Sequence, residues 1–233
     1  MNPNPNSSRN VYRSRCGVYS TYAYTEVYNC IFDSVNYGID ERYLGAALES
    51  YLTSNTINAY QCGINLMDND GSDHITVEYN TIKILPLVKS GIGIYAGESN
   101  SHHTTTYLLN SNSVKIANST SGIQTNGVSN AQLTYNIVEL QNPGVYTSPT
   151  TAGIEISGGG ANYLSCNHVS GHTVDSVPRY GYRIAQSQGN IIQCNVADST
   201  SYSFRFEGVA CNNTVLKGNY MGNAYCGLYL NQD

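Results

Sequence analysis

The chain has 233 residues, of which 12% are charged and 40% hydrophobic, with a formal net charge of −5 and an isoelectric point near 5.4. This acidic balance excludes the basic face that marks nucleic-acid binding proteins, and no apolar run is long enough to span a membrane. The hydrophobic fraction suffices for a core, whereas the abundance of Asn, Ser, Thr, Gly and Tyr disfavours long helices.

The first 25 residues hold a tyrosine-rich run, and we predict an extended, partly disordered lead-in to a repetitive region over residues 26–233. They lack the charged segment and apolar stretch of a signal peptide. Low charge with abundant Asn, Thr, Tyr and Gly is typical of exported proteins, so we expect a secreted or cell-surface location. The last predicted coil has no cap, so we also expect truncation at the C-terminal end and further domains of a longer chain.

An asparagine recurs within short apolar segments, such as VEYNTI at 77–82 and LTYNIV at 133–138. Successive asparagines lie 24–32 residues apart, and in seven of eight segments an aliphatic side chain stands three residues earlier. The eight aligned asparagines are Asn29, Asn55, Asn80, Asn112, Asn136, Asn167, Asn195 and Asn219.

A second segment, usually containing glycine, follows each asparagine, as in CGINL at 62–66 and AGIEI at 152–156. Alternation of apolar and variable residues within it predicts a strand with one buried face. The glycine indicates a backbone position that needs positive φ or a close approach of neighbouring backbone.

A unit of this size cannot bury its own apolar face, but stacking on similar neighbours creates a continuous core. We therefore predict an all-β fold, a single-stranded right-handed parallel β-helix of about eight coils with a ladder of hydrogen-bonded asparagine side chains. Leucine-rich repeats need more leucine, and propeller blades need about 40 residues. A sandwich would not keep one asparagine register through the whole chain.

The pattern L-x-x-N-x-I followed by G-I-x-L resembles the parallel β-helix repeat of the pectin-lyase-like superfamily over residues 26–230. The resemblance implies a fold more than a function. Similar repeats occur in polysaccharide lyases, glycoside hydrolases, alginate epimerases, phage tailspikes, a periplasmic factor for copper-enzyme maturation and large secreted surface proteins. The composition is most similar to the last group, in particular to exported proteins of Bacteroidetes-type bacteria.

Stacking also predicts a row of outward side chains on the glycine-bearing strands. Its predicted members are Asp40, Asn65, Gly93, Gln124, Glu155, Arg183, Arg205 and Tyr229. Glu155, Arg183 and Arg205 fall on consecutive coils, about 5 Å apart. One interpretation is a sugar-acid site, with Glu155 and Arg183 as catalytic candidates and Arg205 holding a uronate carboxylate. The other is a surface charge ladder of little energetic value.

The longest insertions, 142–152 and 171–180, are predicted to leave the same side of adjacent coils and to lie side by side. They bring His172 and Asp175 together as candidates for acid–base catalysis. The substrate-binding candidates beside them are Arg205, Arg179, Tyr146 and Tyr180. The alternative is a pair of solvated loops without activity.

The acidic turn from Asp68 to Asp73 resembles the start of a calcium loop, and Asp68, Asp70 and Asp73 are its candidate ligands. The alternative is a polar turn, and no other cofactor is required. The seven cysteines cannot all pair internally and include no C-x-x-C motif, so we expect buried free thiols that act as small hydrophobic side chains.

These features predict a non-catalytic β-helix segment that binds polysaccharide or surface glycan, or that serves as an adhesive or structural stalk. The alternative is a polysaccharide lyase, glycoside hydrolase or epimerase that acts on an acidic polysaccharide at the face formed by 142–152 and 171–180. A host-recognition fibre is a third hypothesis. Neither nucleic acid nor a membrane span is expected.

Overall fold

The computed structural model describes residues 15–43, 49–67, 74–86, 91–98, 105–117, 121–141, 151–171 and 178–231. Within these ranges the regular elements are β-strands without any helix, and paired strands run parallel to one another. The described residues therefore include no helix that could cross a membrane. Inside the predicted lead-in, Cys16–Thr21 forms a strand that pairs with residues 37–42.

One sheet contains the eight strands that precede the asparagine turn, and we call it the approach face. Its strands are Thr25–Tyr28, Ser50–Thr53, His74–Glu78, Thr106–Asn110, Gln132–Thr134, Tyr163–Ser165, Ile191–Gln193 and Val215–Lys217. Because these strands stack in chain order, they define about seven turns of a solenoid, close to the number of coils predicted.

A second sheet bends round a corner and supplies the other two faces. The exit face follows the asparagine turn, and the glycine face follows the corner. The long strands Ile31–Arg42 and Thr56–Met67 run through the corner and belong to both faces. The other exit-face strands are Thr81–Ile84, Ser113–Ile116, Ile137–Leu140, His168–Ser170, Val196–Asp198 and Tyr220–Gly222. The other glycine-face strands are Cys16–Thr21, Ile92–Gly97, Ser121–Asn126, Thr151–Ser157, Arg179–Ala185, Tyr202–Glu207 and Cys226–Asn231.

The parallel β-solenoid predicted from the repeat is therefore confirmed. Its right-handed sense stays a prediction, which rests on the strong preference of parallel connections for that hand.

The core is a set of vertical stacks of like side chains. On the glycine face the innermost stack is Ile39, Ile64, Ile94, Ile123, Ile154, Tyr182 and Phe204. Tyr182 and Phe204 stack face to face, with ring centroids 4.6 Å apart. The Tyr182 hydroxyl crosses the core to donate to the backbone oxygens of Asn167 and Val196, at 2.9 and 3.2 Å. A buried polar group is thereby satisfied.

An asparagine ladder runs along the corner between the approach and exit faces. The ladder has seven asparagine rungs. In every rung except the last, the side-chain Nδ2 donates to Oδ1 of the next rung at 2.9–3.1 Å. The same oxygen accepts the backbone N–H of the preceding asparagine at 2.9–3.1 Å. The rungs are Asn55, Asn80, Asn112, Asn136, Asn167, Asn195 and Asn219. These predicted members are confirmed, and the ladder satisfies amide groups that water cannot reach.

The prediction that Asn29 belongs to the ladder was wrong. Strand pairing sets Val27 beside Leu52, so the rung of the first coil falls on Cys30. The backbone N–H of Cys30 donates to Oδ1 of Asn55 at 3.0 Å, whereas Asn29 is exposed. Asn29 lies one residue before this rung. Its left-handed backbone, with φ of 53°, matches the backbone of the residue that precedes every other rung.

That preceding residue adopts the left-handed conformation in every coil, with φ between 53° and 63°. The eight residues are Asn29, Ser54, Tyr79, Ser111, Tyr135, Cys166, Cys194 and Gly218. Seven of the eight are not glycine, so each carries a steric cost of about 1–2 kcal/mol. The buried ladder bonds that the turn aligns offset this cost.

The column of glycines on the glycine face has a different cause. Gly63 and Gly122 do not have positive φ, so of the two predicted reasons for glycine only the close approach of backbone applies. A Cβ at Gly122 would lie 2.6 Å from the backbone oxygen of Gly153 in the next turn and would also overlap the Val138 side chain. Close approach between successive turns and the exit-face stack is therefore what requires glycine.

Candidate functional site

The outward row on the glycine face is built as predicted, except that Tyr95 replaces Gly93 and Tyr19 precedes Asp40. Its register is Tyr19, Asp40, Asn65, Tyr95, Gln124, Glu155, Arg183, Arg205 and Tyr229. Tyr95 takes the place predicted for Gly93, because Gly93 belongs to the glycine column, with the Gly122 oxygen against it. The sequence SGIGI offers two glycines, and strand pairing selects the second.

Arg183 lies between two carboxylates. Its Nη1 contacts Oε1 of Glu155 at 2.6 Å, and its Nη2 contacts Oε2 of Glu207 at 2.7 Å. Burial acts to lower the pKa of Arg183, but the hydrogen bond to Glu207 and the charges of both carboxylates raise it above its ordinary value. The other oxygen of Glu155 accepts from Ser121 Oγ at 2.6 Å. The geometry of Glu155 is thus fixed from two sides.

Arg205 is enclosed by aromatic rings and by Glu207. Its Nε forms an ion pair with Oε1 of Glu207, and its Nη1 donates to the Tyr180 hydroxyl at 2.7 Å. The guanidinium carbon lies 4.8 Å from the ring centroid of Tyr180 and 5.2 Å from that of Tyr229, within cation–π range. We call Tyr180, Tyr202 and Tyr229 the tyrosine cluster, since consecutive ring centroids in it lie 5.5 and 5.4 Å apart.

The phenol of Tyr180 remains a neutral hydrogen-bonding group. Burial raises the pKa of Tyr180, and the opposing charge of Arg205 does not reverse the shift. Because its oxygen accepts from Arg205, its own proton is left to donate elsewhere.

An open depression of about 450 Å³ lies beside the two arginines, and we call it the arginine groove. Its lining residues are Ser157, Arg183, Ala185, Gln186, Arg205, Glu207, Gly208 and Asn231. Because Arg183 also pairs with Glu155, the two arginines of the groove are matched by two carboxylates, and their formal charges cancel. Planar guanidinium, carboxylate and amide groups therefore line a surface without net charge, and the tyrosine cluster adjoins it.

Arg179 does not reach this groove. It begins the strand Arg179–Ala185, is buried, and donates through Nη1 to the backbone oxygens of Leu140 and Gln141 at 3.1 and 3.0 Å. In this position the side chain closes the end of an exit-face strand. The prediction that Arg179 contacts a substrate rests on a predicted loop up to residue 180, whereas the structure begins a strand at Arg179.

Several predicted site residues lie outside the described residues, namely Tyr146, His172, Asp175, Asp68, Asp70 and Asp73. The predicted acid–base pair and the calcium hypothesis therefore stay predictions. Within the described ranges, no group of three or more His, Cys, Asp or Glu side chains is arranged to hold a metal ion.

Three residues of the site, Glu207, Ser121 and Tyr202, were not predicted from the sequence. Glu207 stands two residues after Arg205 and so points to the same face of the strand, which is a signal that period-2 alternation provides. Ser121 and Tyr202 are the first residues of their strands. At a strand end the alternation of side chains does not show which face a residue takes.

Comparison of the chain with protein-family models, with curated proteins and with solved structures finds no match. The chain is thus a parallel β-solenoid with an asparagine ladder and a charge-balanced groove on one face.

Proposed function

We propose that the chain is a non-catalytic β-solenoid segment of a secreted or cell-surface protein, and that it binds carbohydrate at the arginine groove. The repeat resembles that of pectin-lyase-like proteins, which include polysaccharide lyases and glycoside hydrolases. The observation that carries the proposal is the fixed guanidinium of Arg205, held by Glu207 and Tyr180 against the tyrosine cluster.

The charge balance favours a neutral glycan over a uronate. Arg183 already binds Glu155 and Glu207, so a substrate carboxylate would have to displace one of them. A neutral sugar keeps these ion pairs and bonds its hydroxyls to the outer edges of the same planar groups. Fixed donors and acceptors of this kind give orientation and specificity to a binding site.

The tyrosine cluster supplies the apolar part of the site. Tyr229 is 38% exposed, and its ring centroid lies 5.2 Å from the guanidinium carbon of Arg205, which lines the groove. Tyr202 is partly exposed and lies beside Tyr229. Large aromatic rings with a polar tip suit a ligand that has one apolar and one hydroxylated face.

The enzymatic alternative has one feature in its favour, since glycosidases need two carboxylates near one sugar. Glu207 lines the groove, and Glu155 contacts Arg183, which also lines it. Both are engaged by Arg183, an arrangement that fixes the side chains and leaves no separate acid and base. We therefore favour binding without turnover.

Binding and turnover can be measured on the same samples. The full chain is titrated with neutral and uronic oligosaccharides by calorimetry, and release of reducing ends and unsaturated products is followed in parallel. We expect binding of a neutral oligosaccharide, loss of at least tenfold in affinity for Tyr229→Ala, and no product.

Tyr135→Ala is the matched control, because Tyr135 is 61% exposed on the outer surface at the asparagine turn. Its affinity should equal that of the wild-type chain. Product formation that is lost in Glu155→Gln would replace our proposal with the enzymatic one, and equal loss of affinity in both tyrosine variants would refute the assignment to the groove.

A further inference from the structure

Cys166 and Cys194 occupy the same position in two adjacent turns. Both have the left-handed backbone of the residue before the ladder, with φ of 55° and 54°. The residues on either side are in register, since Ser165 pairs with Gln193 and Asn167 Nδ2 donates to Asn195 Oδ1 at 2.9 Å. The backbone N–H of Cys166 donates to the oxygen of Gln193 at 3.2 Å. The two cysteines are therefore direct neighbours along the column.

This spacing is suitable for a disulfide bond. Adjacent parallel strands lie about 4.7–4.9 Å apart, and disulfides join residues whose Cα atoms are about 4.4–6.8 Å apart. Cys194 is exposed and Cys166 is partly exposed, so both thiols are accessible to a soluble reagent.

The two sulfur atoms now face different neighbours. Cys166 Sγ lies 3.4 Å from Ser165 Oγ, and Cys194 Sγ lies toward Gly218, 3.9 Å from where a Cβ of that residue would stand. Gly218 leaves space beside Cys194, so rotation about the Cα–Cβ bond of each cysteine is the movement required. The backbone register need not change.

None of the other five cysteines has a cysteine as its neighbour in the adjacent turn. Cys16 and Cys62 both stand beside Tyr37, and Cys226 stands beside Tyr202. Cys30 neighbours Asn55, and Cys211 bonds the backbone oxygens of Ile184 and Glu207. The expectation that all thiols are buried was also wrong, since Cys62 is the buried one among the seven.

We propose that Cys166 and Cys194 form a disulfide under oxidising conditions and thereby staple two consecutive turns of the solenoid at the ladder corner. The thiolate of one cysteine attacks a small-molecule disulfide, which gives a mixed disulfide and releases one thiol. The second cysteine then attacks the protein sulfur of the mixed disulfide and releases the other thiol. Two protein thiols are oxidised, and one disulfide reagent is reduced to two thiols that carry away both protons.

The test uses the full chain and glutathione as the disulfide reagent. After incubation in a mostly oxidised glutathione buffer, remaining thiols are alkylated and the chain is mapped by mass spectrometry without reduction. We expect one peptide pair joined through Cys166 and Cys194, with the count of reactive thiols in unfolded chain falling from seven to five. Glutathione adducts on both cysteines without a cross-link would overturn the proposal.

Two serine variants separate pairing from general thiol reactivity. In Cys166→Ser, Cys194 should stay as a glutathione adduct, because no second thiol can release it. Cys226→Ser, which changes a partly exposed cysteine outside the pair, should still form the cross-link. Oxidation should raise the melting temperature of the wild-type chain and of Cys226→Ser and leave that of Cys166→Ser unchanged. An equal rise in all three would contradict the staple.

Discussion

The side-chain amide of Asn112 donates to Oδ1 of Asn136 at 3.0 Å, and the same oxygen accepts the backbone N–H of Asn112 at 3.0 Å. Asn112 Nδ2 also donates to the backbone oxygen of Val77 at 2.8 Å, on the approach strand of the previous turn. One side chain thus fixes contacts to the turns on both sides of its own. The ladder therefore links each of its turns to the turns on both sides.

The first prediction concerns the glycine column. Gly122→Ala places a methyl group against the Gly153 oxygen and the Val138 side chain, so we expect a loss of about 1–3 kcal/mol in the free energy of unfolding. Gly227→Ala is a matched control in the same column, because its Cβ would meet only Met221 atoms at 3.3 and 3.6 Å. Urea denaturation measures both, and equal losses would contradict the close-approach argument.

The second prediction extends the ladder by one rung. Cys30 holds the ladder position in the first coil, and Oδ1 of Asn55 already accepts its backbone N–H. Cys30→Asn adds an amide that can donate to the same oxygen, so we expect stabilisation of about 0.5–1.5 kcal/mol. Cys30→Ser lacks an amide of sufficient reach and should show no gain. A lower melting temperature for Cys30→Asn than for Cys30→Ser would show that the first turn cannot hold a rung.

The third prediction is a dependence of stability on pH. Glu41 is fully buried, and burial raises its pKa from 4.5 to about 7, with only partial offset from the hydroxyls of Ser50 and Thr25. The folded state binds the proton more tightly than the unfolded state does. Stability is therefore greatest below pH 4.5 and falls as the pH rises to about 7, by about 3 kcal/mol from this group.

Glu41→Gln removes this term while it keeps the shape of the side chain. Denaturation of both proteins between pH 4 and 8 (roughly the window of this titration) should show a difference in slope below pH 7 and parallel curves above it. Parallel curves for Glu41→Gln and wild type throughout would contradict the buried acid.

The ladder from Asn55 to Asn219 was predictable because each rung repeats the same residue type within the same apolar frame. In the first coil the asparagine, Asn29, is adjacent to the rung, Cys30. The sequence pattern selects Asn29, and only the strand pairing shows that Cys30 holds the rung. A second, shorter stack was overlooked. Asn162 Oδ1 accepts the N–H of Ala131 at 2.9 Å, and Asn190 Oδ1 accepts that of Asn162 at 3.1 Å. The sequence indicates this second stack by an asparagine five residues before a rung, Asn162 before Asn167 and Asn190 before Asn195.

The site was predictable only in part. Alternation placed Glu155, Arg183 and Arg205 on one face, and the register confirms it. The sequence cannot show that Glu207 forms ion pairs with both Arg183 and Arg205. Several charged side chains share this face, and their directions and lengths determine which of them meet. Arg179 is the opposite case, because the sequence suggested a binding residue beside a loop. In the structure its side chain is buried and donates to backbone oxygens.

The most direct test of the ladder is a double-mutant cycle on Asn112 and Asn136. Each single change to alanine leaves buried donors and acceptors unpaired, so we expect a loss of roughly 2–4 kcal/mol in the free energy of unfolding. Asn126→Ala, at an exposed position, should cost less than about 0.5 kcal/mol.

The decisive quantity is the coupling energy of the cycle, measured by urea denaturation. Because the two amides share bonds, we expect a coupling of about 1–3 kcal/mol, whereas Asn80 and Asn195, several turns apart, should be additive within about 0.5 kcal/mol. Additivity of Asn112 and Asn136 would contradict the stacked ladder, and with it the register on which the groove and the cysteine pair depend.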